Sequence, residues 1–193
     1  MSSELTQGGL MGHLIRRALH VSILLGPFIY YGILLRYLTE KSAHWIVFLF
    51  MLAVLVFELI RVRYRLVLLG QRSHEADHVS AFAWTMLSLC VIFLYSPGPA
   101  FSWSIIAACA FSDPLMGEMR LRGARRQWVF TAGLMMALFV WLLCATYFGT
   151  PYWLAFLIAP ITVLVELPSF KWIDDNALML LVPLAMVQVA CLI

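Results

Sequence analysis

Trp128-Val-Phe-Thr-Ala-Gly-Leu-Met-Met-Ala-Leu-Phe-Val-Trp-Leu-Leu-Cys-Ala-Thr-Tyr-Phe148 carries no charged residue over 21 positions. Wound as a helix at about 1.5 Å per residue, such a run covers about 30 Å, the hydrocarbon thickness of a bilayer. Comparable apolar runs read as Leu19–Tyr37, His44–Ile60, Val79–Tyr95, Phe101–Met116, Tyr152–Leu167 and Ala177–Ile193, which makes about seven predicted transmembrane helices. Ser96-Pro-Gly-Pro99 and Gly149-Thr-Pro151 between them are turn chemistry, too short to hold a domain. The whole chain of 193 residues is 63% hydrophobic and 12% charged, with a mean hydropathy of +0.92. A soluble domain carries about 25% charged residues. Composition therefore excludes that class and predicts an all-α, polytopic helix bundle forming one integral membrane domain over 1–193. A polar N-terminal segment over 1–15 lacks the basic-then-apolar start of a cleavable signal, so none is expected. Cys90, Cys109, Cys144 and Cys191 all fall inside apolar runs and read as small core residues.

Charge gives the orientation. With the N-terminus in the cytoplasm, the inner segments hold Arg16 and Arg17; Arg61, Arg63, Arg65 and Arg72; Arg120, Arg122, Arg125 and Arg126; and Lys171. That is eleven of the thirteen basic residues, leaving Arg36 and Lys41 outside. The bias predicts an N-in, C-out topology. The same assignment brings Glu58, Glu75, Asp77, Asp113, Glu118, Glu166, Asp174 and Asp175 to the cytoplasmic face. A positive-inside bias accounts for arginines but not for carboxylates among them.

The densest group of these acids lies in Val165-Glu-Leu-Pro-Ser-Phe-Lys-Trp-Ile-Asp-Asp-Asn176. Glu166, Asp174, Asp175 and Asn176 offer the hard oxygen ligands that Mg²⁺ prefers. Ionised groups beside hydrocarbon are expensive and usually retained for a task. The plainer reading, for a lone Asp, is a helix N-cap. Acids that hold a cation and arginines that grip phosphate oxygens together suit a metal-bound polyphosphate such as CTP or ATP.

Asp113-Pro114 predicts a helix break at the end of the fourth run, because the residue before proline is pushed out of the α region. Glu58 and Arg61 stand at i and i+3, spaced for an ion pair or for a free phosphate-binding Arg61. His74-Glu-Ala-Asp-His78 matches H-E-x-x-H literally, but it lies in a polar loop without a third ligand, and a solvated helix start is the preferred reading. The aromatic residues, seven Trp among them, read as lipid-facing or belt residues.

Four stretches, in order along nearly the whole chain, resemble the polyprenol kinase family. That family comprises dolichol kinases, phytol kinases and CTP-dependent diacylglycerol kinases, and is related to the CDP-diacylglycerol synthases. The stretches are Arg16-Arg17 with His20 and Gly26-Pro27; Arg72-x-x-Glu75; Ser112-Asp113-Pro114 with Gly123; and Glu166-Leu-Pro with Asp174-Asp175-Asn176. The chain departs from the family at Gly123-Ala-Arg-Arg-Gln-Trp-Val-Phe130, where a Lys-Ser/Thr-x-x-Gly-Ser stretch is usual. The resemblance implies a kinase that phosphorylates a membrane lipid alcohol (a polyprenol, phytol or diacylglycerol), with CTP as phosphate donor and Mg²⁺ as cofactor. It implies catalytic roles for Asp113 and Asp175, with Asp113, Asp174 and Asp175 on the metal. Arg61, Arg72, Arg125, Arg126 and Asn176 would contact nucleotide or phosphate, supported by His20, Glu58, Glu75 and Glu166. A CDP-lipid-forming cytidylyltransferase and a non-catalytic relative remain open; a transporter lacks the expected internal symmetry. No nucleic-acid partner is expected, and a homo-oligomer is left open.

Overall fold

The computed structural model describes residues 7–166 and 173–192, and among these no β-strand occurs. Leu167, Pro168 and Lys171, used in the reading above, lie outside the described residues, as does the His74 side chain. Eight helices follow in order. They are α1 (Gly9–Ser22), α2 (Leu25–Tyr37), α3 (Glu40–Arg63), α4 (Ala81–Tyr95), α5 (Pro99–Leu121), α6 (Arg126–Phe148), α7 (Tyr152–Leu164) and α8 (Asp175–Leu192). A short 3₁₀ turn, Ser73–Ala76, lies in the long α3–α4 connection.

Local chemistry sets the ends. Thr39 and Ser80 cap α3 and α4, each hydroxyl accepting a backbone N–H three residues on (3.3 and 3.2 Å). Pro99 opens α5, where its missing N–H costs nothing. Gly149 closes α6 at φ +79°, a left-handed conformation that glycine adopts without strain.

The described parts of the seven apolar runs are largely helical, but among the described residues α3, α6 and α8 are the three helices long and apolar enough to cross a membrane on their own. A fourth results if α1 and α2, bent by 40°, count as one span. At about 1.5 Å per residue, the 15 residues of α4 and the 13 of α7 fall short of a 30 Å hydrocarbon core. The expected single run Leu19–Tyr37 is interrupted at Ile23–Leu24, and helix begins at Gly9, inside the segment expected to be merely polar. Arg16 and Arg17 explain the last point, because their partners (below) draw α1 onto the bundle. The proline-induced break at Asp113 does not form either. The helix α5 continues through Pro114 to Leu121, and packing against α6 and α8 holds it across one missing hydrogen bond.

The core sits where α5, α6, α7 and α8 meet. Trp141, Ile105, Ile106, Ile158, Met179 and Leu180 are fully buried there. Small residues bring the helices together: Ala108, Cys109 and Ala110 on α5 and Ala155 and Ala159 on α7 are buried without residue. Gly133 on α6 faces Met116 so closely that a Cβ would fall 2.2 Å from its Sδ. Helix α3 is the opposite case. It packs on α4 but exposes Ile46, Leu49, Leu52, Val56 and Leu59, an apolar face that suits lipid rather than water.

The two ends of the bundle differ. Tyr37, Trp45, Tyr95, Tyr147, Tyr152 and Trp153 stand exposed at one end, the pattern of an interfacial aromatic belt. The α3–α4, α5–α6 and α7–α8 connections and the helix ends flanking them, at the other end, carry most of the acids and arginines.

Candidate functional site

Four segments meet at the charged end. Backbone bonds from Gln7 N–H to the Gln71 carbonyl (2.8 Å) and from Gly70 N–H to the Gln7 carbonyl (3.0 Å) fasten the start of α1 to the α3–α4 connection. Arg16 then reaches Glu75 (3.1 Å), and Arg17 pairs with Glu118 on α5. Glu75 is buried and also accepts the backbone N–H groups of Arg72 (3.1 Å) and Ala81 (3.3 Å). It joins α1, the 3₁₀ turn and the start of α4.

One turn along α1, His20 Nε2 lies 3.2 Å from the Cys109 carbonyl and 3.6 Å from Asp113 Oδ2. Asp113 therefore stands at the meeting of α1 and α5, with its side chain 28% exposed. Asp174 is near enough to Arg16, Asp113 and Glu75 to feel their charges. Asp175 is likewise within range of Asp174, Asp113, Arg120 and Arg72. The three aspartates thus occupy one electrostatic neighbourhood, supplied by α5 and the start of α8. Arg120 pairs with the buried Glu166, tying the end of α5 to the end of α7.

Asp174 also does what the plainer reading expected. Its Oδ1 accepts the Asn176 N–H (3.0 Å) and so caps α8. Burial pushes its carboxyl above the usual carboxylate range, and Asp113 and Glu75 push the same way against the Asn176 N–H and Arg16. Two neighbouring polar atoms lack a hydrogen bond among the described residues: Asn176 Oδ1 and Ser112 Oγ, both buried. An oxygen buried without a donor costs about 1–3 kcal/mol, so such atoms mark places where a ligand or water is accommodated.

Several expected residues lie elsewhere in function. Arg61 is 1% exposed and committed. It binds Glu58 through Nε (3.0 Å) and Nη2 (2.8 Å) and donates to the carbonyls of Leu66 (2.8 Å) and His78 (2.5 Å). Glu58 in turn accepts the Ser80 N–H (2.5 Å) and Ser80 Oγ (3.3 Å). The expectation that Arg61 braces phosphate is therefore corrected: the pair clasps α3 to the start of α4. Arg125 and Arg126 stand exposed at the start of α6, with no ion pair to a carboxylate among the described residues. Arg72 is exposed, within reach of Asp175. Residues 74–76 of the H-E-x-x-H match lie in the 3₁₀ turn Ser73–Ala76, so the match is not carried on an α-helix.

Among the described residues, no three His, Cys, Asp or Glu side chains form a ready-made metal cage, contrary to a metal site built from Asp113, Asp174 and Asp175 alone. The basic groups whose charges act on the acids are Arg16, Arg72 and Arg120; of these, Arg16 and Arg120 did not stand out as site residues in the sequence. Arg16 was legible only through its place beside His20, and Arg120 only as part of a basic run.

No family model, no curated protein and no solved structure matches this chain.

Proposed function

We propose that the chain is a membrane-embedded kinase of the polyprenol kinase type, transferring the terminal phosphate of CTP or a related nucleotide to a lipid alcohol. The observation that carries this is the shared neighbourhood of Asp113, Asp174 and Asp175 with Arg16, Arg72 and Arg120, at one end of an apolar bundle. The resemblance of four ordered stretches supports the reaction. Mg²⁺ commonly takes one or two carboxylates plus substrate phosphates, so it does not need an all-protein cage. Hard oxygen donors and the unpartnered Asn176 Oδ1 fit such an ion. Bound with the triphosphate, it would neutralise charge developing on the transferred group.

The protein's own residues then have distinct tasks. Arg16, Arg72 and Arg120 draw the phosphates toward the acids. Asp113, steadied by His20, accepts the proton of the lipid hydroxyl as its oxygen forms the bond to the γ-phosphorus. The bond from that phosphorus to the bridging oxygen breaks, releasing CDP and the lipid phosphate. In the same proposal the acids face the cytoplasm, the N-terminus is inside and the helical runs make seven passes, with the short α4 and α7 spanning a locally thinned bilayer. A reporter fused at Pro97 that reads cytoplasmic would overturn that topology.

Three arginines around the acids also favour a second reading, because a cytidylyltransferase must hold a lipid phosphate as well as the nucleotide. CTP labelled on its γ-phosphate or on its α-phosphate separates the two. Purified protein given Mg²⁺ and a panel of polyprenols, phytol and diacylglycerol should move only the γ-label into lipid. Movement of the α-label, with a lipid phosphate as acceptor, would establish the rival. Movement of neither would leave a non-catalytic relative.

A further inference from the structure

The first helix is amphipathic, and its charged face is turned inward. His13, Arg16, Arg17 and His20, spaced three and four apart, share one side of α1. On that side Arg16 meets Glu75 (3.1 Å), Arg17 meets Glu118, and His20 meets the Cys109 carbonyl (3.2 Å) and Asp113. Gly12 approaches the α3–α4 connection so closely that a Cβ would fall 3.3 Å from the Gly70 nitrogen. The inner face is thus held by contacts from Gly12 to His20. Met11, Leu14, Ala18 and Val21 form the outer face, all exposed, and Leu25 extends the stripe past the bend into α2. No charged side chain lies on it.

A helix resting on a membrane from the water side keeps its basic face toward water and headgroups. In α1 the arginines are answered by carboxylates of the protein instead, so that face does not require water. The apolar stripe is what remains exposed. It runs on into Phe28 and Ile29, exposed on α2, and α1 with α2 forms the bent pair apolar enough to cross a membrane. An exposed apolar strip of this extent marks contact with a membrane or with another protein. Its continuity with the apolar wall of α2 selects the membrane.

We propose that α1 is embedded in the bilayer, its outer stripe seated among acyl chains, and that it forms the partition between hydrocarbon and the acid group. Lipid then lies on one side of the helix and Asp113 and Glu75 on the other, about 10 Å away, the diameter of a helix. Where α2 crosses the bilayer, the depth of the stripe falls from Val21 to Leu14. The inference is independent of the kinase reading, because it needs only the inward pairs and the outward stripe.

The test places a nitroxide on the full-length protein in lipid nanodiscs, through Leu14→Cys, Ala18→Cys or Val21→Cys. Cys191→Ser removes the exposed native thiol, and the other three cysteines are buried. Power-saturation EPR reads collisions with oxygen, which concentrates in hydrocarbon, and with a water-soluble nickel chelate. Labels at Leu49, on the exposed face of α3, and at Arg125, exposed in the α5–α6 connection, give the lipid and water references. All three stripe positions are expected to lose nickel contact relative to position 125 and to gain oxygen contact toward the level of position 49, most strongly at 21. Nickel contact equal to that at 125 would put the stripe in water and overturn the proposal. Shielding from both reagents would mean that a protein surface covers the stripe, and overturns it equally. An unlabelled pair guards against a label that disturbs the helix. Leu14→Asp should lower the melting temperature in nanodiscs while Leu14→Met leaves it unchanged, since only the carboxylate is costly among acyl chains. A Leu14→Asp protein that melts like the parent would place the stripe outside the hydrocarbon.

Discussion

Two charged groups sit at the same end of this bundle and differ in how completely they are answered. Glu58 and Arg61 are buried, matched one to one, and saturated by Ser80 and by the carbonyls of Leu66 and His78. Asp113, Asp174 and Asp175 are partly open and lie within electrostatic range of one another and of arginines drawn from other segments. Charge whose partners are all internal holds structure. Charge left in surplus around a partly open space is suited to something that arrives. Identity of residue type does not distinguish these roles; completeness of pairing does.

The largest effect expected of that division falls on the clasp. Arg61→Ala strands the Glu58 carboxylate in a buried site, which costs about 3–5 kcal/mol. Thermal unfolding in detergent should show a large drop in melting temperature. Replacing both residues by Met should recover much of it, because no unpaired charge remains. An Arg61→Ala protein that melts like the parent but no longer binds nucleotide would erase the comparison and return Arg61 to the site.

Next in size is the acid group. Asp113→Asn or Asp175→Asn removes a charge without emptying a packed volume. Either should weaken Mg²⁺–CTP binding by about 1.5–3 kcal/mol, the value of a hydrogen bond to a charged group, as read by isothermal titration. Melting temperature should hold or rise, since like charges are relieved. A collapse resembling that of Arg61→Ala would show that these aspartates, too, are structural.

Much of the helical layout was legible because apolar run length and turn residues act locally: Gly149-Thr-Pro151 and Ser96-Pro-Gly-Pro99 separate helices where expected. The failures share a cause. At Pro114, packing on neighbouring helices overrides a local penalty that sequence reads as a break. At Arg61, the commitment of the guanidinium depends on Leu66, His78 and Ser80, contacts set by the path of a connection with no periodic signal. The acids of the candidate site could be seen as a group because topology alone brings them to one end. Of their arginine partners Arg72 could, but Arg16 and Arg120 could not, since a basic residue near the membrane has several equally good reasons to be there.

Asp174 sharpens the comparison most finely, because it serves in both capacities: it caps α8 and belongs to the acid group. Its carboxyl titrates above the ordinary range, chiefly through burial. For an acid whose folded pKa exceeds its unfolded one, the associated stability is present below the unfolded pKa and is lost as pH rises through the folded pKa. At neutral pH the ionised side chain therefore works against folding. Asp174→Asn preserves the cap, since Asn and Asp cap about equally well. Without divalent cation, the variant should melt slightly higher than the parent at neutral pH, and the gap should close as pH falls toward the unfolded carboxylate range. Ligand binding runs the other way. A metal-borne nucleotide needs the deprotonated carboxylate, so parent binding should strengthen as pH rises through the same interval, while the variant's should be weaker and flatter. The effect is smaller than the other two because Asp174 is only partly shielded from water. A variant that is less stable than the parent at neutral pH, with an unaltered pH profile for nucleotide, would assign Asp174 to the cap alone and leave Asp113 and Asp175 as the functional pair.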